Sequence, residues 1–138
     1  METDSFSHSI QVRYSEVDSQ GIVFNANYLN YFDILIGEYF REKVGSYKDF
    51  VECKELDFHV IRSLIEYRNP ATYEDMIRFT VTGTYKGPKI FWKIKAMIGE
   101  KTICEAELDY IAVHSKTRKV TTVSNEIANL LKLQKLGI

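Results

Sequence analysis

The chain has only two cysteines, and they stand far apart: Cys53 and Cys104 form no CxxC pair. With no secretory leader in view, the expectation is two reduced thiols packed inside a cytoplasmic protein, without a disulfide. Histidine is equally sparse. His8, His59 and His114 are scattered, with neither HExxH nor Cys/His ligand spacing, so no metal is expected. Charge of one sign never accumulates: eighteen Lys and Arg oppose nineteen Asp and Glu, a formal net charge of -1. No basic block offers a face to nucleic acid, and that partner is excluded. No apolar run approaches the ~18–20 residues that cross a bilayer, so a soluble protein without a membrane span is expected. Also missing are a Gly-rich phosphate loop, a GxSxG elbow, an internal repeat and any alternation of strand and helix in βαβ units.

What is present is enough chain for one core. A length of 138 residues suits a single domain over 1–138 and is too short for two comfortable ones. Ile10, Val12 and Tyr14 alternate with Gln11, Arg13 and Ser15, which predicts a half-buried strand over 7–15. Asp18, Ser19, Gln20 and Gly21 break the pattern with turn-forming residues. Asn25 and Asn27 then offer N-cap side chains, and a helix is expected to start between them with Asn27 as its cap.

From Tyr28 to about Val44 the residues Tyr28, Tyr31, Phe32, Leu35, Ile36, Tyr39 and Phe40 recur at helical spacing, leaving Asn30, Asp33, Gly37 and Arg41 as a narrow polar stripe. So broad an apolar arc needs a wrapper, and a sheet is the natural one. Gly37 costs about 1 kcal/mol against Ala inside a helix, which predicts close packing there. Gly45 and Ser46 stop the helix, and 47–53 reads as a second short helical turn.

The remainder reads as strands. Leu56 to Tyr67 is rich in β-branched and aromatic residues, with a slip near Ile61 that fits a bulge. Ile77, Phe79, Val81, Gly83 and Tyr85 alternate with polar residues, and Lys86-Gly87-Pro88-Lys89 makes a hairpin into Phe91 to Ile98. Cys104, Ala106, Leu108, Tyr110 and Ala112 then lie opposite Glu105, Glu107 and Asp109, one dry face and one wet. Ser124 caps a closing helix with Ile127, Leu130 and Leu131, and Lys135 near its end. The class is α+β: an antiparallel sheet of about five strands curled around one long central helix.

Read locally, Asp18 is a turn residue. It also lies a few residues before a helix N-terminus, where unsatisfied N–H groups and the dipole favour negative charge, so an acid and an oxyanion site can share one corner. The run Arg13-Tyr14-Ser15-Glu16-Val17-Asp18-Ser19-Gln20-Gly21-Ile22-Val23-Phe24-Asn25-Ala26-Asn27-Tyr28 resembles the signature of the 4-hydroxybenzoyl-CoA thioesterase family of hotdog-fold enzymes. A second stretch, Tyr67-Arg68-Asn69-Pro70-Ala71-Thr72-Tyr73-Glu74-Asp75, is similar to that family's link between two strands.

The resemblance implies a hotdog fold and an acyl-CoA thioesterase working as a homodimer or homotetramer, with active sites between subunits. Its substrate is a small-molecule acyl-CoA; coenzyme A belongs to that substrate and no separate cofactor is implied. Asp18 matches the catalytic carboxylate, as nucleophile or as general base. Asn25 matches the position whose backbone N–H receives the thioester oxygen. Gly21, Tyr28, Lys86 and Lys89 match substrate-binding positions, the two lysines as holders of the coenzyme A phosphates. Tyr14, Tyr31, Tyr67 and Tyr73 are further candidates for an acyl pocket, and Arg62 for a phosphate. The chain departs from many relatives in carrying Asn25 where they have His or Tyr, Ile36 where they have Arg, and Ile90 where they have Ser. A second hotdog lineage places its acid on the helix, for which Glu38 and Asp33 are available. Two other readings stand beside hydrolysis: an acyl-CoA-binding module without catalysis, and a hotdog hydratase or dehydratase, which pairs an acid with a catalytic His that Asn25 does not supply.

Overall fold

A computed structural model describes residues 5–137. Strand β1 is Phe6–Gln11, followed by a 3-10 turn over Tyr14–Glu16 and the long helix α1, Asn27–Val44. A short helix α2, Tyr47–Lys54, leads into four long strands: β2, Leu56–Tyr67; β3, Met76–Lys86; β4, Lys89–Ile98; β5, Lys101–His114. Helix α3, Asn125–Leu131, and a two-residue strand β6, Gln134–Lys135, complete the described chain. The sheet order is β1-β3-β4-β5-β2 with every neighbour antiparallel, and β6 adds in parallel beside β3 at Thr84 and Tyr85. Among the described residues no helix is long and apolar enough to cross a membrane.

Helix α1 lies along the inner face of this sheet because its apolar arc has nowhere else to go. Tyr28, Tyr31, Phe32, Leu35, Ile36, Tyr39 and Phe40 are all buried, and each Phe, Leu or Ile among them is worth roughly 1.5–3 kcal/mol when removed from water. Tyr31 and Phe32 meet Phe79 of β3 at ring separations of 5.6 and 6.2 Å, and Tyr39 meets Trp92 of β4 at 5.0 Å. Phe50 of α2 closes the C-terminal end of the helix against Phe40 and Phe58. The β2 bulge predicted near Ile61 falls between Val60 and Arg62.

Four expectations are corrected. The strand predicted over 7–15 ends at Gln11, because the Glu16 carboxylate accepts the Arg13 N–H at 2.8 Å and folds residues 13–16 into a turn that alternation alone does not reveal. Asn27 does not cap α1: the N-cap is Ala26, and the Asn27 amide instead donates to the Glu16 carbonyl at 2.8 Å. Gly37 is exposed, and a Cβ there would meet nothing within 4 Å of the described chain, so no close approach explains it. Helix α3 stops at Leu131, with Lys132 in the left-handed region at φ 57°, and Lys135 belongs to β6, the sixth strand of the sheet.

The glycine that does carry a packing constraint is Gly83, in the middle of β3. A Cβ on it would stand 2.6 Å from Trp92 Cζ3 and 2.7 Å from Leu133 Cδ2, both side chains being buried. Gly83→Ala is therefore expected to destabilise the protein by about 1–3 kcal/mol through overpacking, read as a lower denaturant midpoint at unchanged slope. An unchanged midpoint would mean that the indole and Leu133 shift at little cost.

Candidate active site

The corner between the 3-10 turn and α1 is a small hairpin. Val17 and Val23 pair across it, and the Asp18 N–H donates to the Ile22 carbonyl at 2.9 Å. The turn closes with the Gly21 N–H on the Asp18 carbonyl at 2.9 Å, and Gly21 takes φ +79°, which suits a residue without Cβ. The Asp18 carboxylate accepts the Gln20 N–H through Oδ1 at 2.8 Å; among the described residues its Oδ2 receives no hydrogen bond. Asp18 is thus a turn residue in fact, half-buried, with one oxygen left over for other work.

The return arm of the hairpin is bolted to the link between β2 and β3. Ile22 pairs with Thr72, and the Val23 N–H donates to the Ala71 carbonyl at 2.8 Å. Phe24 then donates to the Glu16 carbonyl at 3.0 Å, and α1 begins through tight bonds from Asn27 to Phe24, Tyr28 to Asn25 and Leu29 to Ala26. Those bonds use the N–H groups of 27 to 29. The N–H groups of Asn25 and Ala26 have no acceptor among the described residues, as expected for the open end of a helix. The Asn25 carbonyl, by contrast, accepts the Tyr67 hydroxyl at 3.2 Å.

Asn25 lines a cavity of about 380 Å³ together with Ile22, Val23, Tyr28, Tyr67 and Pro70. Its walls are mainly apolar. Tyr28 is buried with its ring against Tyr31 and Tyr67, both at 5.7 Å, and burial raises its hydroxyl pKa well above that of a free tyrosine. Arg68, also at the rim, is paired with Glu105 and Glu66 at 3.3 Å each. A second hollow of about 370 Å³ lies on the outer sheet face among Lys93, Lys95, Glu105 and Glu107, away from the helix start.

Of the predicted site residues, Asn25, Tyr28 and the acyl-pocket candidate Tyr67 meet in the cavity, while Asp18 and Gly21 sit in the adjoining turn and do not line it. Lys86 and Lys89 face each other across the β3–β4 hairpin, at the opposite end of the eleven-residue strand β3. At ~3.3 Å per residue that is roughly 30 Å from the cavity of the same chain. Tyr14 and Tyr73 pack edge to face on the surface, outside the cavity. Asp33 is exposed, Glu38 pairs with Arg41, and Arg62 pairs with Glu107 and Asp109. Of the two cysteines expected to be packed, only Cys104 is buried, and Cys53 lies exposed on α2; burial pushes the Cys104 thiol up to about 12, which keeps it protonated and inert. Among the described residues no three His, Cys, Asp or Glu side chains are grouped as metal ligands are.

Two contacts went unread in the sequence, although Tyr67 itself was a pocket candidate. The hydroxyl of Tyr67 reaches the helix start only because β2 ends beside it. Glu16 is the one buried charged residue among those described, and its signal was the Arg13-Glu16 spacing of one 3-10 turn.

The model of the thioesterase superfamily matches residues 20–104. This chain belongs to that superfamily. It is a thioester hydrolase of hotdog fold, and the match begins two residues after Asp18. The acyl-CoA thioesterase YbgC of Haemophilus influenzae is 25% identical to this thioesterase over 125 residues, covering 90% of this chain and 92% of its own. Two solved structures share the fold. One is AQ1494 of Aquifex aeolicus, with TM-score 0.82, 22% identity, and coverage of 91% of this chain and 98% of that one. The other is Slr0204, a 1,4-dihydroxy-2-naphthoyl-CoA thioesterase of Synechocystis, with TM-score 0.83, 14% identity and coverage of 93% and 96%.

Proposed function

We propose that this thioesterase hydrolyses an acyl-CoA thioester to the free acid and coenzyme A, with Asp18 as the reacting carboxylate and the Asn25 N–H as an oxyanion donor. The observation that carries the reading is the unpaired Asn25 N–H at a helix N-terminus on the wall of an apolar cavity, with the Asp18 turn beside it. The acyl group occupies the cavity, and its carbonyl oxygen accepts from the Asn25 N–H. Asp18 Oδ2 either attacks the carbonyl carbon or takes a proton from a water that attacks it. In both routes the C–S bond breaks, coenzyme A leaves as the thiolate, and an oxygen of water ends in the product acid. The direct route passes through a mixed anhydride that water then cleaves. No cofactor enters the scheme.

The site is proposed to be completed by a second copy of the chain. Strand β2 is a sheet edge, and Val60, Ile61, Leu64 and Tyr67 along it are 44–50% exposed, an apolar edge of the sort that invites pairing. Antiparallel pairing of two β2 edges sets the Leu56 end of one beside the Tyr67 end of the other. The partner's β3–β4 hairpin then lies at this cavity's end of the joint sheet, so Lys86 and Lys89 serve the neighbouring subunit's coenzyme A phosphates. Replacing both lysines by Ala is expected to raise KM about tenfold, from the loss of a charge-assisted phosphate contact, with kcat nearly unchanged. An unaltered KM, or a monomer by light scattering at working concentration, would remove the lysines from the site.

Free-thiol release from a panel of acyl-CoAs tests the activity itself. Turnover supports hydrolysis; tight binding of acyl-CoA without thiol release would favour a binding module instead.

A further inference from the structure

Glu16 contributes bonds to three separate pieces of the site. Its carboxylate accepts four donors: the Arg13 N–H at 2.8 Å and the Tyr31 hydroxyl at 2.8 Å on Oε1, and Arg13 Nε and Nη2 at 2.9 and 2.7 Å on Oε2. Its carbonyl accepts the Phe24 N–H at 3.0 Å and the Asn27 side-chain amide at 2.8 Å. One residue thereby ties the 3-10 turn, the return arm of the hairpin and the first turns of α1 together. Asp18 follows it by two residues, and Phe24 immediately precedes Asn25.

The hydrogen bonds around Glu16 favour its charged form. Burial alone would raise the Glu16 carboxyl, but the bonds from the Arg13 amide and guanidinium and from the Tyr31 hydroxyl outweigh it and hold the pKa below the usual carboxylate range. Tyr31 is raised, first by burial and then by donating to Glu16, so it keeps its proton and stays a donor. A buried charge that loses one partner is costly, and the remaining partners must rearrange to satisfy it. Any such rearrangement moves the very segment that carries Asp18 and Asn25.

We propose that Glu16 is a positioning residue for hydrolysis, and that the Tyr31–Glu16 bond sets the distance and direction between the Asp18 carboxylate and the Asn25 N–H. The inference rests on the roles proposed above for those two groups. Positioning matters because only interactions stronger in the transition state than in the ground state raise kcat, and a displacement of about 1 Å can cost 10²-fold. Substrate binding, which depends on the cavity walls and on remote contacts, is little affected.

Tyr31→Phe is the cleanest probe, because it deletes one hydroxyl and keeps the buried ring against Tyr28 and Phe79. It is expected to lower kcat for acyl-CoA hydrolysis 10- to 100-fold with KM within threefold. The Phe24 and Asn27 amides, which donate to the Glu16 and Phe24 carbonyls, should also exchange with deuterium faster, relative to amides in the middle of β4. Glu16→Gln should show the same split, because its NH2 must face donors wherever it points, and adding Tyr31→Phe to it should cost less than the two singles multiplied. Wild-type kcat in an active enzyme carrying Tyr31→Phe would overturn the inference and leave the proposed reaction standing. If the wild type releases no thiol from any acyl-CoA, the proposed reaction fails, and amide exchange decides the clamp alone: unchanged exchange at Phe24 and Asn27 overturns it.

Discussion

Asp18→Asn is expected to lower kcat for acyl-CoA hydrolysis by about 10²- to 10⁴-fold, the range over which a positioned acid–base group contributes. The substitution suits the site because the side-chain oxygen of Asn can still accept the Gln20 N–H that closes the turn, so the hairpin at Gly21 keeps its shape. What is lost is the second carboxylate oxygen as nucleophile or base. Since the turn does not line the cavity, KM should stay within a few-fold, and the thermal midpoint should move little. The measurement is thiol release under saturating substrate, with melting of both proteins as the control. A variant with full turnover would sink the assignment of Asp18 and direct attention to Glu38→Gln on the helix.

The second large effect comes from a backbone atom. Asn25→Pro is expected to lower kcat by about 10²- to 10³-fold, the cost of one oxyanion donor, whereas Asn25→Ala should stay within a few-fold of wild type. Proline removes an N–H that has no acceptor among the described residues, just before the N-cap Ala26, so no internal hydrogen bond is broken. Proline is accommodated near helix starts for the same reason, and the helix itself should survive. The contrast between Pro and Ala separates the backbone from the side chain. Equal loss in both variants would place the function in the Asn25 amide side chain or in local packing. Equal retention would move the oxyanion donor elsewhere, with the free Ala26 N–H as the next candidate.

Both predictions depend on an arrangement that is partly local and partly not. The long helix was readable because seven apolar residues at helical spacing can be buried only by something broad, and the sheet that buries them was readable from period two in β3, β4 and β5. The turn at Asp18 to Gly21 was readable for a similar reason: short polar residues and a glycine set its backbone within four positions. The start of α1 was not. Two asparagines compete as caps in the sequence, and the actual cap, Ala26, has no side chain able to do the work. Asn27 turns away because the Glu16 carbonyl, eleven residues earlier, offers it a better partner.

The sequence by itself determined the α+β class, the central helix, the turn that holds Asp18 and the resemblance that pointed to thioester hydrolysis, since each depends on residue type and short spacing. Only the tertiary structure decided that Glu16 is buried among four donors, that Tyr67 meets the Asn25 carbonyl, and that Lys86 and Lys89 lie at the far end of the sheet. The physical reason is range: a turn or a helical face is settled by neighbours within a few residues, whereas a buried charge and the walls of a cavity are settled by strands that meet after dozens of intervening residues. Asp18 and Asn25 are seven residues apart in the chain. How they are held relative to each other is the work of Glu16, Tyr31 and the sheet.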